Sequence, residues 1–290
     1  MSWRTVMITS RCKLDLSMGY MVIRGDETKR VFLEEIAMLI IENPAVSMTG
    51  CLLSELTKRK IRIIFCDEKR TPYGELQPYS GCHDSSRKIR TQIVWTEDQK
   101  KSVWTEIAAE KIRNQAQLLY DLNCIKEGDM LIEYVSQMQY GDESNREGHA
   151  AKVYFNALFG KDFSRGQENP INAALNYGYS ILLSTFNKEV TANGYLTQLG
   201  LFHDNMFNPY NLSCDLMEPF RIMVDRTVID MEVEEFTKDE KYCLLSMLNE
   251  PVTVDGNVQT LLNAIKIYTK SVFNAINDSE ISLIRFAQIL

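Results

Sequence analysis

The sequence predicts an α+β fold, with a small β-rich amino-terminal domain over residues 1–80 and a larger, mainly α-helical domain over residues 91–290. Three observations predict it. Short β-type runs crowd the first eighty positions, turn formers cluster in Ser80-Gly81-Cys82-His83-Asp84-Ser85-Ser86, and beyond that cluster the apolar residues recur with a helical period. Residues 81–90 accordingly read as the linker between two differently patterned regions.

In chain order, Thr5 to Thr9, Cys12 to Leu16, Tyr20 to Arg24, Arg30 to Phe32 and Ala37 to Ile41 read as strands, with Gly19 and Gly25-Asp26 as turns. Met48 to Lys58 reads as an amphipathic helix carrying Leu52, Leu53 and Leu56, and Ile61 to Cys66 returns to strand. A last short strand, Glu75-Leu76-Gln77, is closed by Pro78. Past the linker, Trp104, Ala108, Ile112, Ala116 and Leu119 step by four, four, four and three residues, which is one stripe of a long helix. The same period recurs over 129–138, 147–158, 172–192 and 257–276.

Composition narrows the function classes. No apolar run reaches the length of a membrane span, about eighteen residues or more, and the amino terminus alternates apolar and polar residues, so a cytoplasmic protein without membrane partners is expected. Seven cysteines without a CxxC pair fit reduced thiols better than a disulfide framework or a zinc knuckle. The net charge of −7 argues against a globally basic nucleic-acid binder, yet residues 85–126 hold eight basic against five acidic side chains, and 225–255 hold three against nine. One face can therefore hold DNA while another stays acidic. Lys88, Arg90 and Arg113 are the DNA-contact guesses from the basic stretch, where a solvated helix face is the default. No GxSxG, GxxxxGK[ST] or GxGxxG motif is present, so serine hydrolysis, nucleotide hydrolysis and dinucleotide binding lose their usual signals.

Carboxylates are better placed. Asp215 and Glu218, three apart in SCDLMEPFR, leave one face of a helix and could share an ion, although acids in a first turn also stabilise a helix without any metal, and that plainer reading is favoured from the segment alone. His203 lies in the loop-like GLFHDNMFNPYN, where a histidine commonly satisfies backbone groups. Glu147 follows Ser144 by three, a capping-box pattern opening an apolar helix. Arg146 and Arg221 adjoin these acids, with phosphate contact and ion pairing equally open. His149 reads as packing or as a support behind the ligands, because the di-iron ExxH pattern is not met, and His83-Asp84 as a hinge or a hydrogen-bonding pair.

Together, EGHAAKVYFNALFG, PINAALNYGYSILLS and GLFHDNMFNPYNLSCDLMEPFR, with WRTV, IFCDEKR and GCHDSS nearer the amino terminus, resemble the CRISPR-associated endonuclease/integrase ("Cas-one") family, and in particular its type II-A branch. The resemblance implies a metal site in which Glu147, His203 and Glu218 are the catalytic ligands of Mg²⁺ or Mn²⁺, with Asp215 at an acidic position that some members add. It implies a homodimer, with dimerisation through the amino-terminal domain, bound to a small "Cas-two" protein. Its DNA would be double-stranded prespacer fragments and the CRISPR leader-repeat, and in type II-A systems the effector nuclease and a ring-shaped accessory protein would join. The implied chemistry is attack of a fragment's 3′-hydroxyl on a phosphodiester, helped by a divalent ion that stabilises charge on the attacking and leaving oxygens. A stand-alone structure-selective nuclease and a non-catalytic DNA-binding scaffold are the alternatives.

Overall fold

The computed structural model describes residues 4–76 and 82–289, so Trp3, Gln77-Pro78 and Ser80-Gly81 of the sequence reading lie outside the described residues. The chain divides into two compact units, Met1–Gly81 and Cys82–Leu290.

Within the first unit, strands β1 (Arg4–Ile8), β2 (Lys13–Ser17), β3 (Tyr20–Arg24), β4 (Thr28–Phe32), β5 (Ile36–Ile41) and β6 (Ser47–Met48) precede helix α1 (Gly50–Lys58) and strands β7 (Arg62–Cys66) and β8 (Pro72–Leu76). They form two four-stranded sheets, ordered β1-β5-β7-β8 and β4-β3-β2-β6. β5, IAMLII, is buried along its whole length because it lies between parallel neighbours β1 and β7, which accounts for its unbroken apolar run. Leu14, Met21, Leu33, Ile36, Leu39, Leu52, Leu56 and Ile63 are the fully buried centre of this unit's core. The helix expected from Met48 begins two residues later: Ser47 and Met48 pair with Lys13 and Leu14, and Thr49 caps the helix by accepting from Leu52 N at 3.3 Å.

The second unit is helical: α2 (Ser85–Ile93), α3 (Glu97–Asp121), α4 (Ile125–Ser136), α5 (Arg146–Phe159), α6 (Pro170–Ala192), α7 (Asn211–Met217), α8 (Arg221–Asp230) and α9 (Lys238–Ser246), then the hairpin β9 (Pro251–Val254) and β10 (Asn257–Thr260), and α10 (Leu261–Asp278). The α+β class expected from the sequence is the class observed. α3 is the central rail, opened by a Thr96–Gln99 capping box and burying all of Trp104, Ala108, Ile112, Ala116 and Leu119. α6 crosses α8 closely at Gly178, where an added Cβ would stand 2.4 Å from Val224 Cγ1.

Two expectations are corrected. Residues 85–90 of the expected linker are helical, within α2, which is fastened when the Gln92 amide donates to Leu196 O (2.9 Å) and Leu199 O (3.1 Å) and accepts from Leu196 N (2.8 Å). Residues 257–260, expected as helix, are strand β10: Asp255 and Gly256, both at positive φ, turn the chain back onto β9, and α10 starts only after the Thr260 cap.

Candidate active site

Three segments converge on one face of α3, presented by Trp104, Lys111 and Asn114 at spacings of seven and three. The first is the start of α5. Gly141, at φ 69°, takes the Thr105 hydroxyl through its N–H at 2.7 Å and lies so close to Lys101 that an added Cβ would meet its side chain at 2.9 Å. Asp142 is thereby set below α5, and its carboxylate accepts from Arg146 N (2.7 Å) and Glu147 N (3.0 Å). Asp142, not Ser144, satisfies the open amides of this helix. Asn145 adopts a left-handed conformation that turns the chain, and the buried Ser144 hydroxyl has no hydrogen-bond partner. The expected Ser144–Glu147 capping box is therefore corrected, and the Glu147 carboxylate, freed from capping, accepts a hydrogen bond from the Lys111 ammonium.

The second segment is Glu218-Pro219-Phe220, a tight turn between α7 and α8. Proline cannot continue the hydrogen-bonding of α7, and the Asn114 amide anchors the break by donating to Pro219 O at 3.0 Å. Glu218, 4% exposed, pairs with Arg221 at 2.9 Å through Oε1 and with Lys111 through Oε2. The partner of this buried Oε2 is the Lys111 ammonium. Burial pushes the Glu218 carboxyl up, but Arg221 and Lys111 outweigh it and pull the group down to about 2. Burial likewise works against charge on Lys111, and Glu218 and Glu147 prevail, raising its pKa.

The third segment carries His203. Leu201 N, Phe202 N and His203 N donate to the fully buried Asp215 carboxylate at 2.6, 3.1 and 3.1 Å, and His203 Nδ1 meets the same carboxylate at 2.5 Å. Gly200 is required for this wrap, since a Cβ there would fall 2.2 Å from His203 O. Phe202 stacks on Trp104 at 4.5 Å, and the His203 ring stands edge-on to Trp104 at 6.0 Å. Hydrogen bonding to Asp215 raises the His203 pKa, with burial opposing, and the charges of Glu218 and Glu147 add to the rise. With Nδ1 held, Nε2 is the ring nitrogen left for a ligand.

Asp215 and Glu218 do not share an ion from one helix face as their spacing suggests. The proline break turns Glu218 towards Lys111, while both Asp215 oxygens are covered by the 201–203 segment. Asp215 is thus removed as a direct ligand and becomes the group that holds His203.

The structure therefore brings Glu147 and Glu218 together on one ammonium. Among the described residues the cluster of three whose ligand atoms all lie within 4.8 Å of one another is Cys82, His83 and Asp84, so His203 does not stand within that distance of both glutamates. Two carboxylates meeting on one cation are the donor chemistry a hard divalent ion takes, and that is the fit the site offers. Lys111 went unrecognised in the sequence, where it is one basic residue in a basic stretch; its signal is a lysine seven residues after Trp104 on a buried stripe. Arg221 resolves as the ion-pair partner of Glu218 and lies over the Tyr179 ring at 4.1 Å. Arg146 lies over Tyr134, and His149 packs against that same ring. Of the DNA-contact guesses, Arg113 pairs with Glu110, Lys88 covers Tyr195, and Arg90 is exposed. Cys82, His83 and Asp84 also lie together, but the Cys82 thiol and Arg87 already occupy the Asp84 oxygens.

The family described as CRISPR associated protein Cas1 matches residues 6–249. A curated relative, the CRISPR-associated endonuclease Cas1 of Neisseria meningitidis serogroup C (strain 8013), is 34% identical over all of this chain and 97% of its own length. The chain belongs to the Cas1 family. Solved structures of the same fold include a casposase bound to integration product (TM-score 0.78, 16% identity, 96% of this chain and 91% of that one). A Cas6-RT-Cas1–Cas2 complex also matches (TM-score 0.75, 17% identity), covering 99% of this chain, which spans 36% of that longer one. Among the described residues no helix is long and apolar enough to cross a membrane.

Proposed function

We propose that this chain is a metal-dependent DNA integrase/endonuclease of CRISPR adaptation, which joins the 3′-hydroxyl ends of prespacer fragments to the CRISPR array by transesterification. The observation that carries the reading is the convergence of Glu147 and Glu218 on a single cationic point; the family resemblance adds His203, whose ring is set by the buried Asp215 carboxylate. Glu147, Glu218 and His203 Nε2 are the atoms that would hold Mg²⁺ or Mn²⁺. When bound, the ion would act as a Lewis acid at the phosphoryl group and offset charge on the attacking and leaving oxygens. Asp215 keeps the His203 ring oriented and its Nε2 turned to the site, and Arg221 fixes the Glu218 carboxylate. Attack by the fragment's 3′-hydroxyl forms the new phosphodiester and releases a 3′-oxygen from the array strand; water in its place gives cleavage.

The Cas1–Cas2 assembly among the related folds supports the small Cas-two protein as a partner. The resemblance to the type II-A branch supports a cytoplasmic homodimer joined through residues 1–80, with the effector nuclease and the ring-shaped accessory protein as further partners. The exposed Phe202, Met206 and Phe207 around His203 offer faces on which a base of bound DNA could stack.

The test is a joining assay with purified chain, its small partner, Mn²⁺ or Mg²⁺, a short duplex with free 3′-hydroxyls and repeat-containing DNA. Joined product with free ends and none with blocked 3′ ends is expected. Cutting of branched DNA without joining would favour the stand-alone nuclease instead, and unchanged function after Glu147→Gln would favour the scaffold.

A further inference from the structure

Lys111 is the one member of the site's charge cluster that the proposed chemistry does not use. It is 7% exposed, emerges from the middle of α3, and places its ammonium against Glu147 Oε1 and Glu218 Oε2. A buried carboxylate, Glu218, and a half-buried one, Glu147, facing one point without a cation between them repel each other, and the buried one keeps a desolvation penalty that an opposite charge offsets. The ammonium supplies that charge. A divalent ion bound by Glu147 and Glu218 needs the same oxygen lone pairs, at roughly 2.1 Å for Mg²⁺, and so cannot share the point with a lysine nitrogen. Oε1 of Glu218 already accepts from Arg221, which leaves Oε2, the oxygen facing Lys111, as its more open one.

The two cations on Glu218 differ in how readily they can leave. Arg221 is bound to Oε1 at 2.9 Å and stacked on Tyr179, which fixes the plane of its guanidinium. Lys111 is a point charge on a flexible four-carbon stem, with no ring among the described residues stacked against its ammonium to fix its direction, and it divides its contacts between Glu147 and Glu218. The geometry therefore ranks Lys111 as the exchangeable partner.

We propose that Lys111 is a tethered counter-cation: it holds Glu147 and Glu218 together in the metal-free protein and withdraws when a divalent ion binds between them. Metal binding is then an exchange of one cation for another, and the apparent affinity is lowered by the lysine it displaces. The proposal rests on the reading of Glu147 and Glu218 as metal ligands, and concerns Lys111 as a positioning residue.

The test is calorimetric titration of the full chain with Mn²⁺, without DNA, for wild type, Lys111→Met and Glu147→Gln, together with thermal melts with and without Mn²⁺. Lys111→Met, which keeps the apolar stem and removes the charge, is expected to bind Mn²⁺ about tenfold more tightly, to melt lower than wild type without metal, and to gain more on adding Mn²⁺. Equal or weaker Mn²⁺ binding by Lys111→Met, with Glu147→Gln still weakening it, overturns the counter-cation while leaving the ligand assignment standing. Mn²⁺ binding indifferent to Glu147→Gln overturns the ligand assignment and the counter-cation with it. Should Lys111→Met fail to fold, reductive methylation of wild type read by mass spectrometry decides: Lys111 labelling is expected to rise on adding Mn²⁺, and protection that does not change overturns the proposal.

Discussion

Glu218 and Asp225 lie seven residues apart on either side of Arg221, both out of water, and the protein accommodates their carboxylates in different ways. Glu218 faces two cations, Lys111 and Arg221, which hold its pKa at about 2. Asp225 faces two phenols: Tyr154 Oη donates to Oδ2 at 2.9 Å and Tyr179 Oη donates to Oδ1, while burial pushes the Asp225 carboxyl up. Arg221 links the centres, bonded to Glu218 and stacked on Tyr179. A carboxylate held by cations can trade one cation for another without losing its charge. One held by hydroxyl donors is fixed by directed bonds and has nothing to trade. The first arrangement suits chemistry and the second suits a rigid wall behind it.

Substitutions can break or sharpen this contrast. The largest effect is expected from Glu218→Gln, which should lower joining by about 10²-fold or more in the 3′-hydroxyl assay, whereas Asp225→Asn should change it by less than about tenfold. Comparable losses from both would show that the two acids are not functionally distinct. Next, Asp225→Ala leaves two buried phenols without their acceptor and should cost about 3 kcal/mol in urea unfolding. A loss under about 1 kcal/mol would mean that the hydroxyls find other acceptors.

The acid limb of the stability profile should separate the two centres by sign. The Glu218 pKa is lower in the folded chain than its ordinary 4.5, so its stabilising contribution is present above that value and is lost as pH falls towards about 2. The Asp225 pKa lies above its ordinary 3.8, so its ionisation opposes folding and stability declines as pH rises through 3.8 to the folded value. Chemical denaturation between pH 2 and about 5 should therefore show a flatter acid limb in Glu218→Gln and a steeper one in Asp225→Asn, relative to wild type. The same slope in all three proteins would remove the distinction. The smallest effect concerns the helix that presents Glu147: Asp142→Ala should cost about 1 kcal/mol as a lost cap, and Ser144→Ala should stay within about 0.5 kcal/mol. The reverse order would restore Ser144 as the cap.

What the sequence determined by itself is everything that depends on near neighbours. Short apolar runs and turn residues placed the strands of the first unit other than Ser47–Met48, and the Trp104-to-Leu119 stripe placed the central helix, because backbone periodicity acts over a few residues. It went astray where a local pattern had two readings, as with the strand at 257–260 and the Ser144–Glu147 box, and geometry a few residues away chose between them. The family motifs drew attention to Glu147, His203 and Glu218, with Asp215 beside them, but not to Lys111. Only the tertiary structure decided that Lys111 meets a glutamate 36 residues along the chain and another at 218, and that Asp215 folds under His203 rather than beside Glu218. The physical reason is that a charge out of water must find its partner wherever packing brings one near, and separation along the chain does not constrain which residue that is.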